Sequence, residues 1–142
     1  MKKQFLTEVA AFAYILLFSY AAAAKLFRID MFEFQLKLQP FSRSWVPFLM
    51  WAIPISLILI VLVLLFPRYR MMGLKLGTGL MIVFTGYISL AKFGYFKNPP
   101  CTCAGVVPKF TWGQHLWFNL FFLSLGVLAI LIQVNKKNLK LN

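Results

Sequence analysis

The stretch WVPFLMWAIPISLILIVLVLLF, from Trp45 to Phe66, decides the class of fold. It carries no charged side chain, and at 1.5 Å per residue a helix of this length crosses the roughly 30 Å hydrocarbon core of a bilayer. Outward from it, three more apolar segments have similar length: about Gln4 to Ala24, Met72 to Lys92, and Phe110 to Val134. In lipid, each backbone group left unpaired costs roughly several kcal/mol, so all four segments are expected to be helices. The expectation is an all-α, integral membrane four-helix bundle in a single domain covering residues 1–142, with helices at about 4–24, 45–66, 72–92 and 110–134.

Composition points the same way. Hydrophobic residues make up 61% of the 142 and charged residues 13%, against roughly 45–50% and about 25% in an average soluble protein. A soluble domain this small cannot bury so much apolar surface, which excludes a disordered chain, a secreted disulfide scaffold and a soluble enzyme with a large cleft. A net charge of +12 in a soluble protein would suggest nucleic acid. Here the cations lie almost entirely between apolar segments, so the expected partner is the lipid bilayer and no nucleic acid.

An even number of crossings puts both termini on one side. That side holds Lys2, Lys3, Arg68, Arg70, Lys75, Lys136, Lys137 and Lys140; the other holds Lys25, Arg28, Lys37, Arg43, Lys92, Lys97 and Lys109. The first set is denser and closer to helix ends, which favours cytoplasmic termini in a bacterial inner membrane. The connections 25–44 and 93–109 then face the periplasm. Lys2 and Lys3 ahead of an apolar run resemble a leader, with Ala21 to Ala24 as the best cleavage position, but the long apolar stretch and the charged segment after it favour a retained helix.

Several local features carry expectations of their own. Phe27, Met31, Phe34 and Leu38 recur at helical spacing with Asp30, Glu33 and Lys37 on another face, which predicts a short amphipathic helix at the membrane boundary. The run Phe32 to Leu38 also alternates like a strand. Pro54 interrupts the second segment, with Ser56 near enough to serve a freed backbone group. Gly73 and Gly77 form a GxxxG pair with Lys75 between them, read as packing within the chain rather than as a dimer face. Glu8 is read as reaching the near membrane boundary rather than as a proton relay.

The chemistry-bearing residues lie in and after the last outer loop, Asn98-Pro99-Pro100-Cys101-Thr102-Cys103-Ala104-Gly105. Cys101 and Cys103 are the only two cysteines, and three readings of the pair compete. In one they cycle between dithiol and a strained, labile disulfide, with Lys97, Lys109 and a protonated His115 as cations that lower a thiol pKa. In another they join His115 as soft ligands for copper or zinc. In the third they form a static staple that shapes the loop. His115 and Asn119 are one helical turn apart and share a face; an imidazole oriented by an amide suits a base assisting a thiol. Equally, His115 between Trp112 and Trp117 fits an interfacial aromatic belt. Nucleotide loops, HExxH, GxSxG and paired intramembrane acids do not occur.

Ala24-Lys25-Leu26-Phe27 closing the first helix, the Phe-rich segment to Gln39-Pro40, the Trp51 to Pro54 stretch, and C-x-C-x-G followed by Trp112, His115, Phe118 and Asn119 resemble the MauE/DoxX-like family of redox-associated bacterial membrane proteins. The resemblance covers almost the whole chain. It implies a role in maturing an exported client, as MauE is associated with the disulfide-rich small subunit of methylamine dehydrogenase, or in electron transfer to one. The layout is similar to that of four-helix thiol oxidoreductases such as DsbB and vitamin K epoxide reductase. A quinone is implied by that analogy alone, since this chain has two cysteines where that mechanism uses two pairs. Many members carry a glutamate shortly after the proline of the second helix; here Pro54 is followed by Ile55-Ser56-Leu57-Ile58.

Overall fold

The computed structural model describes residues 2–37, 42–93 and 112–141. Five α-helices follow in chain order: α1 Lys2–Phe27, α2 Ile29–Lys37, α3 Val46–Leu65, α4 Arg70–Lys92 and α5 Trp112–Leu141, with a single 3-10 turn, Arg43–Trp45, leading into α3. Among the described residues four helical stretches are long and apolar enough to cross a membrane, those of α1, of α3 with its leading turn, of α4 and of α5. The protein is therefore a multi-pass membrane protein of the expected all-α class. The helices run longer than their apolar segments at several ends. α5 continues to Leu141 because Asn135 to Leu141 contains neither Gly nor Pro to stop it, and Lys136, Lys137 and Lys140 complement the negative end of the helix dipole.

The long helices pack in a ring, α1 against α3, α3 against α4, α4 against α5 and α5 against α1. Small residues let them approach. Ala10, Ala11, Ala21 and Ala22 of α1 are buried in the core with Leu57, Ile60 and Leu64 of α3. A Cβ added at Gly73 would lie 2.9 Å from the Leu64 side chain, and one at Gly77 would lie 2.8 Å from Phe18. The GxxxG pair thus packs inside the chain, against α3 and α1. Lys75 is on the opposite, exposed side of α4 rather than at that interface.

Tyr14 is the polar centre of the bundle. Its side chain is fully buried; its hydroxyl donates to the Phe122 carbonyl of α5 at 3.1 Å and lies 3.1 Å from the Thr78 hydroxyl of α4. It reaches α5 at Gly126, where an added Cβ would collide with the hydroxyl oxygen. At the end that holds both chain termini, Arg70 Nη1 donates to both oxygens of Glu8. Arg70 Nε also donates to the Leu64 carbonyl at 3.4 Å, one of the last carbonyls of α3 that no helical N–H can serve. Glu8 is thus paired at a half-exposed position, in line with a boundary role. Ser56 donates to the Ala52 carbonyl. Pro54 instead deprives the Met50 carbonyl of its usual donor, so Ser56 does not serve the group that Pro54 frees.

The segment after α1 is a helix and not a strand. In α2, Phe32 and Leu36 are buried with Val46 and pack on Leu49, Met50 and Ile53 of α3, while Met31 and Phe34 stay exposed. Asp30 sits at the favourable N-terminal end, and Glu33 pairs with Lys37 at 2.8 Å.

Gly126→Ala is expected to lower stability by about 1–3 kcal/mol, because it overpacks the Tyr14 contact. Tyr14→Phe should rescue only part of that loss, since Tyr14 Cζ at 2.7 Å and Thr78 Oγ1 at 2.6 Å would still meet the new methyl. Gly79→Ala, which faces open space, should be neutral or stabilising. Thermal unfolding of the four proteins in one detergent measures all three effects.

Candidate functional site

The end of α4 and the start of α5 lie side by side: a Cβ built at Gly113 would stand 3.5 Å from Lys92 Nζ. The connecting residues 94–111 therefore leave and re-enter the bundle at neighbouring points. Cys101 and Cys103 fall within that connection and lie outside the described residues. His115 and Asn119 both belong to the first two turns of α5, one turn apart as their spacing required.

Asn119 is buried, with 5% of its surface exposed. An amide in this position is unusual beside lipid, and its depth separates it from the exposed Trp117 on the neighbouring face. Thr78 against Gly126 and Lys92 against Gly113 set one antiparallel register along α4 and α5. In that register Thr85 of α4 falls at the level of Asn119. Thr85 is buried as well, and its hydroxyl has no hydrogen-bond partner among the described residues, while its carbonyl accepts a bond from Ser89 Oγ at 2.8 Å. The seam between α4 and α5 thus carries polar groups from Thr78 and Tyr14 at mid-depth, through Thr85 and Asn119, to Lys92 at the mouth. Chemically, this seam supplies neutral donors and acceptors, which can orient an imidazole or a polarised group but hold no charge themselves. Lys92 adds a cation at its open end.

At the same end of the bundle Lys25 is buried, with Nζ 5.7 Å from the centre of the Phe32 ring, where the aromatic face favours a cation. Among the described residues no three His, Cys, Asp or Glu come together to hold a metal ion; the set Cys101, Cys103 and His115 has both its sulfurs outside that region.

The sequence profile described as methylamine utilisation protein MauE matches residues 3–132, which include α2, α3 and α4, nearly all of α1, the cysteine connection and the part of α5 that holds the buried Asn119. The chain belongs to the MauE family. Comparison with curated proteins and with solved structures gives no significant match. The MauE profile ends inside α5, so the last turns of that helix, with Lys136, Lys137 and Lys140, lie beyond it.

Two features of this MauE-family bundle were not read from its sequence. Tyr14 with Thr78 was missed, although a tyrosine midway along an apolar helix needs a hydroxyl partner in lipid and was a usable signal. The unpartnered Thr85 had no signal, because the common partner of a helical threonine is its own helix's carbonyl one turn back.

Removing the Thr85 hydroxyl should cost nothing. Thr85→Val is expected to hold or raise stability, since it deletes a buried group without a partner, whereas Thr78→Val should lose about 1 kcal/mol with the Tyr14 bond. Chemical unfolding of both variants in mixed micelles distinguishes them; a clear loss in Thr85→Val would show that its hydroxyl is engaged.

Proposed function

We propose that this MauE-family protein takes part in thiol-disulfide exchange at the periplasmic face of the bacterial inner membrane, through Cys101 and Cys103, with His115 and Asn119 as supporting residues. The observation that carries this reading is the buried Asn119, one turn beyond His115 at the root of the connection that holds both cysteines. The family's description, methylamine utilisation, is compatible with such a membrane-associated role; in this reading the client is an exported, disulfide-rich protein whose maturation or reduction the pair serves.

In the oxidising direction a client thiolate attacks the Cys101–Cys103 disulfide, forming a mixed disulfide and releasing one thiolate. A second client thiolate then attacks the mixed disulfide, so the client is oxidised by two electrons and the pair becomes a dithiol. The same steps reversed reduce a client. His115 would take the proton of the attacking thiol, and Asn119 would hold the imidazole in the tautomer that accepts it. Returning the dithiol to the disulfide requires a two-electron acceptor, the role a membrane quinone would fill by analogy with DsbB.

A second reading rests on the outer aromatic surface. Phe27, Met31 and Phe34 around α2, with Trp45 and Phe48 at the start of α3, are all exposed, and they would suit a non-catalytic subunit that docks a membrane partner while the cysteines only shape the loop. Copper or zinc handling through Cys101, Cys103 and His115 is a third and weaker reading, tested by metal analysis of the purified protein.

Mass-tag trapping of thiols in intact cells is expected to show both redox states of the pair, and Cys101→Ser to trap a client in a mixed disulfide through Cys103. Asn119→Ala should slow exchange while leaving the helical signal intact. A pair held wholly in one state, with client disulfides unchanged in Cys101→Ser, refutes exchange. The docking reading predicts instead that a co-purifying partner survives replacement of both cysteines by Ser and is lost in Phe34→Glu.

A further inference from the structure

The polar junction at the centre of the bundle is laid out a second time, two helical turns nearer the end of α4 and the start of α5. At the first level Tyr14 of α1, Thr78 of α4 and Gly126 of α5 meet: the two hydroxyls are 3.1 Å apart, and a Cβ built on Gly126 would stand 2.6 Å from Thr78 Oγ1. Seven residues along a helix advance about 10 Å and come within about 20° of two full turns. That step leads from Tyr14 to Ala21, from Thr78 to Thr85 and, on the antiparallel α5, from Gly126 back to Asn119. Each residue of the second set therefore lies on the same side of its helix as its counterpart, and all three are buried. The two junctions differ in what they hold. At the first, α1 brings a ring and a hydroxyl, and Thr78 is bonded to that hydroxyl. At the second, α1 brings only the methyl group of Ala21, and the Thr85 hydroxyl has no hydrogen-bond partner among the described residues. Asn119 adds an amide where α5 has a bare glycine below.

A buried hydroxyl without a partner is rare, because it has given up its bonds to water without replacement. The first junction shows what completes such an arrangement in this chain: an oxygen carried on a flat ring. The groups at the second junction are neutral, and Met81 and Ile88, buried on either side of Thr85 along α4, are apolar. Lys25, one turn beyond Ala21, has its ammonium 5.7 Å from the Phe32 ring of α2. A neutral, largely apolar guest suits these surroundings, where an ion would lose its hydration. We propose that the junction of Ala21, Thr85 and Asn119 binds the ring of a lipid-soluble quinone, one carbonyl oxygen of which accepts hydrogen bonds from the Thr85 hydroxyl and the Asn119 amide. A hydroxyl and an amide can each accept as well as donate, so the same two side chains also serve the hydroxyl of the reduced ring. The inference rests on the exchange reading for the use of the ring and not for its binding. In that reading the Cys101 and Cys103 dithiol loses two electrons and two protons as its disulfide forms, and the quinone that takes up both becomes the quinol. Asn119 is seven residues, about 10 Å, along α5 from Trp112, where that helix begins.

The test titrates the full chain in one detergent with dimethylnaphthoquinone and, separately, with dimethylnaphthalene, the same ring without its oxygens, by isothermal titration calorimetry. Wild type should bind the quinone about tenfold or more tightly than the hydrocarbon, and Thr85→Val and Asn119→Leu should each lower quinone affinity about tenfold, as for one lost hydrogen bond. The double variant should bind the two rings alike. Ser124→Ala removes a hydroxyl from the exposed side of α5, where it is bonded to the Leu120 carbonyl, and should leave the affinity unchanged. Ala21→Tyr places at the second junction the ring that α1 has at the first, and should block the quinone with the helical signal intact. The preference should persist in the Cys101→Ser, Cys103→Ser chain, where exchange is impossible, so the binding site stands or falls apart from the thiol chemistry. Equal affinity of wild type for the two rings, which needs no variant to fold, would overturn the assignment. So would an undiminished affinity in Thr85→Val, an equal loss in Ser124→Ala, or a folded Ala21→Tyr chain that still binds the quinone.

Discussion

A single hydroxyl in the middle of the membrane holds three of the four spanning helices in one arrangement. Tyr14 of α1 gives its proton to a backbone carbonyl of α5 and meets the hydroxyl of Thr78 on α4. In hydrocarbon no water can take over either contact, so any rotation of α1 that carried the ring away would leave polar groups unpaired. Gly126 and Gly77 exist in that arrangement as the two places where the ring and its neighbour Phe18 come up against helix backbone. The remaining helix, α3, is held differently: its buried contacts are Leu57, Ile60 and Leu64 against the alanines of α1, and its polar tie is the Arg70 donation to its last turn. Shape fixes α3, and hydrogen bonds fix the other three.

That division explains which parts of the fold were legible in the sequence. α3 was the easiest element to read because twenty-odd residues without a charge have one plausible home. α2 was harder, since Phe32 to Leu38 satisfies a two-residue period as well as a helical one; burial of Phe32 and Leu36 with Phe34 between them exposed is what a helix gives and a strand does not. The pairing of Tyr14 with Thr78 could not be read as a pair, because nothing local connects positions 64 residues apart. The same limit applied to Glu8, whose place near the helix end was readable while its partner, 62 residues away, was not.

The candidate site divides along similar lines. The one-turn spacing of His115 and Asn119 was a matter of counting, and the structure adds that Asn119 is buried, which counting could not show. Thr85, at the same level across the seam, came only from the register set by contacts at two distant points. The cysteines stood out by being the sole pair, but their chemistry depends on spacing and compartment, and the MauE profile spans them without specifying either.

The Tyr14 contacts also impose an order on biosynthesis. Its two partners come 64 and 108 residues later in the chain, so when α1 emerges from the ribosome neither exists. The α3–α4 hairpin can close on itself as soon as it is made, through Gly73 against Leu64, but α1 has nothing to bond with until α4 arrives, and its second bond waits for α5. Closure of the ring is accordingly the last event of synthesis, and a nascent chain stalled before α4 would leave a membrane helix with an unsatisfied hydroxyl at its centre, the sort of exposed polar group by which membrane quality control tells an orphaned helix from an assembled one.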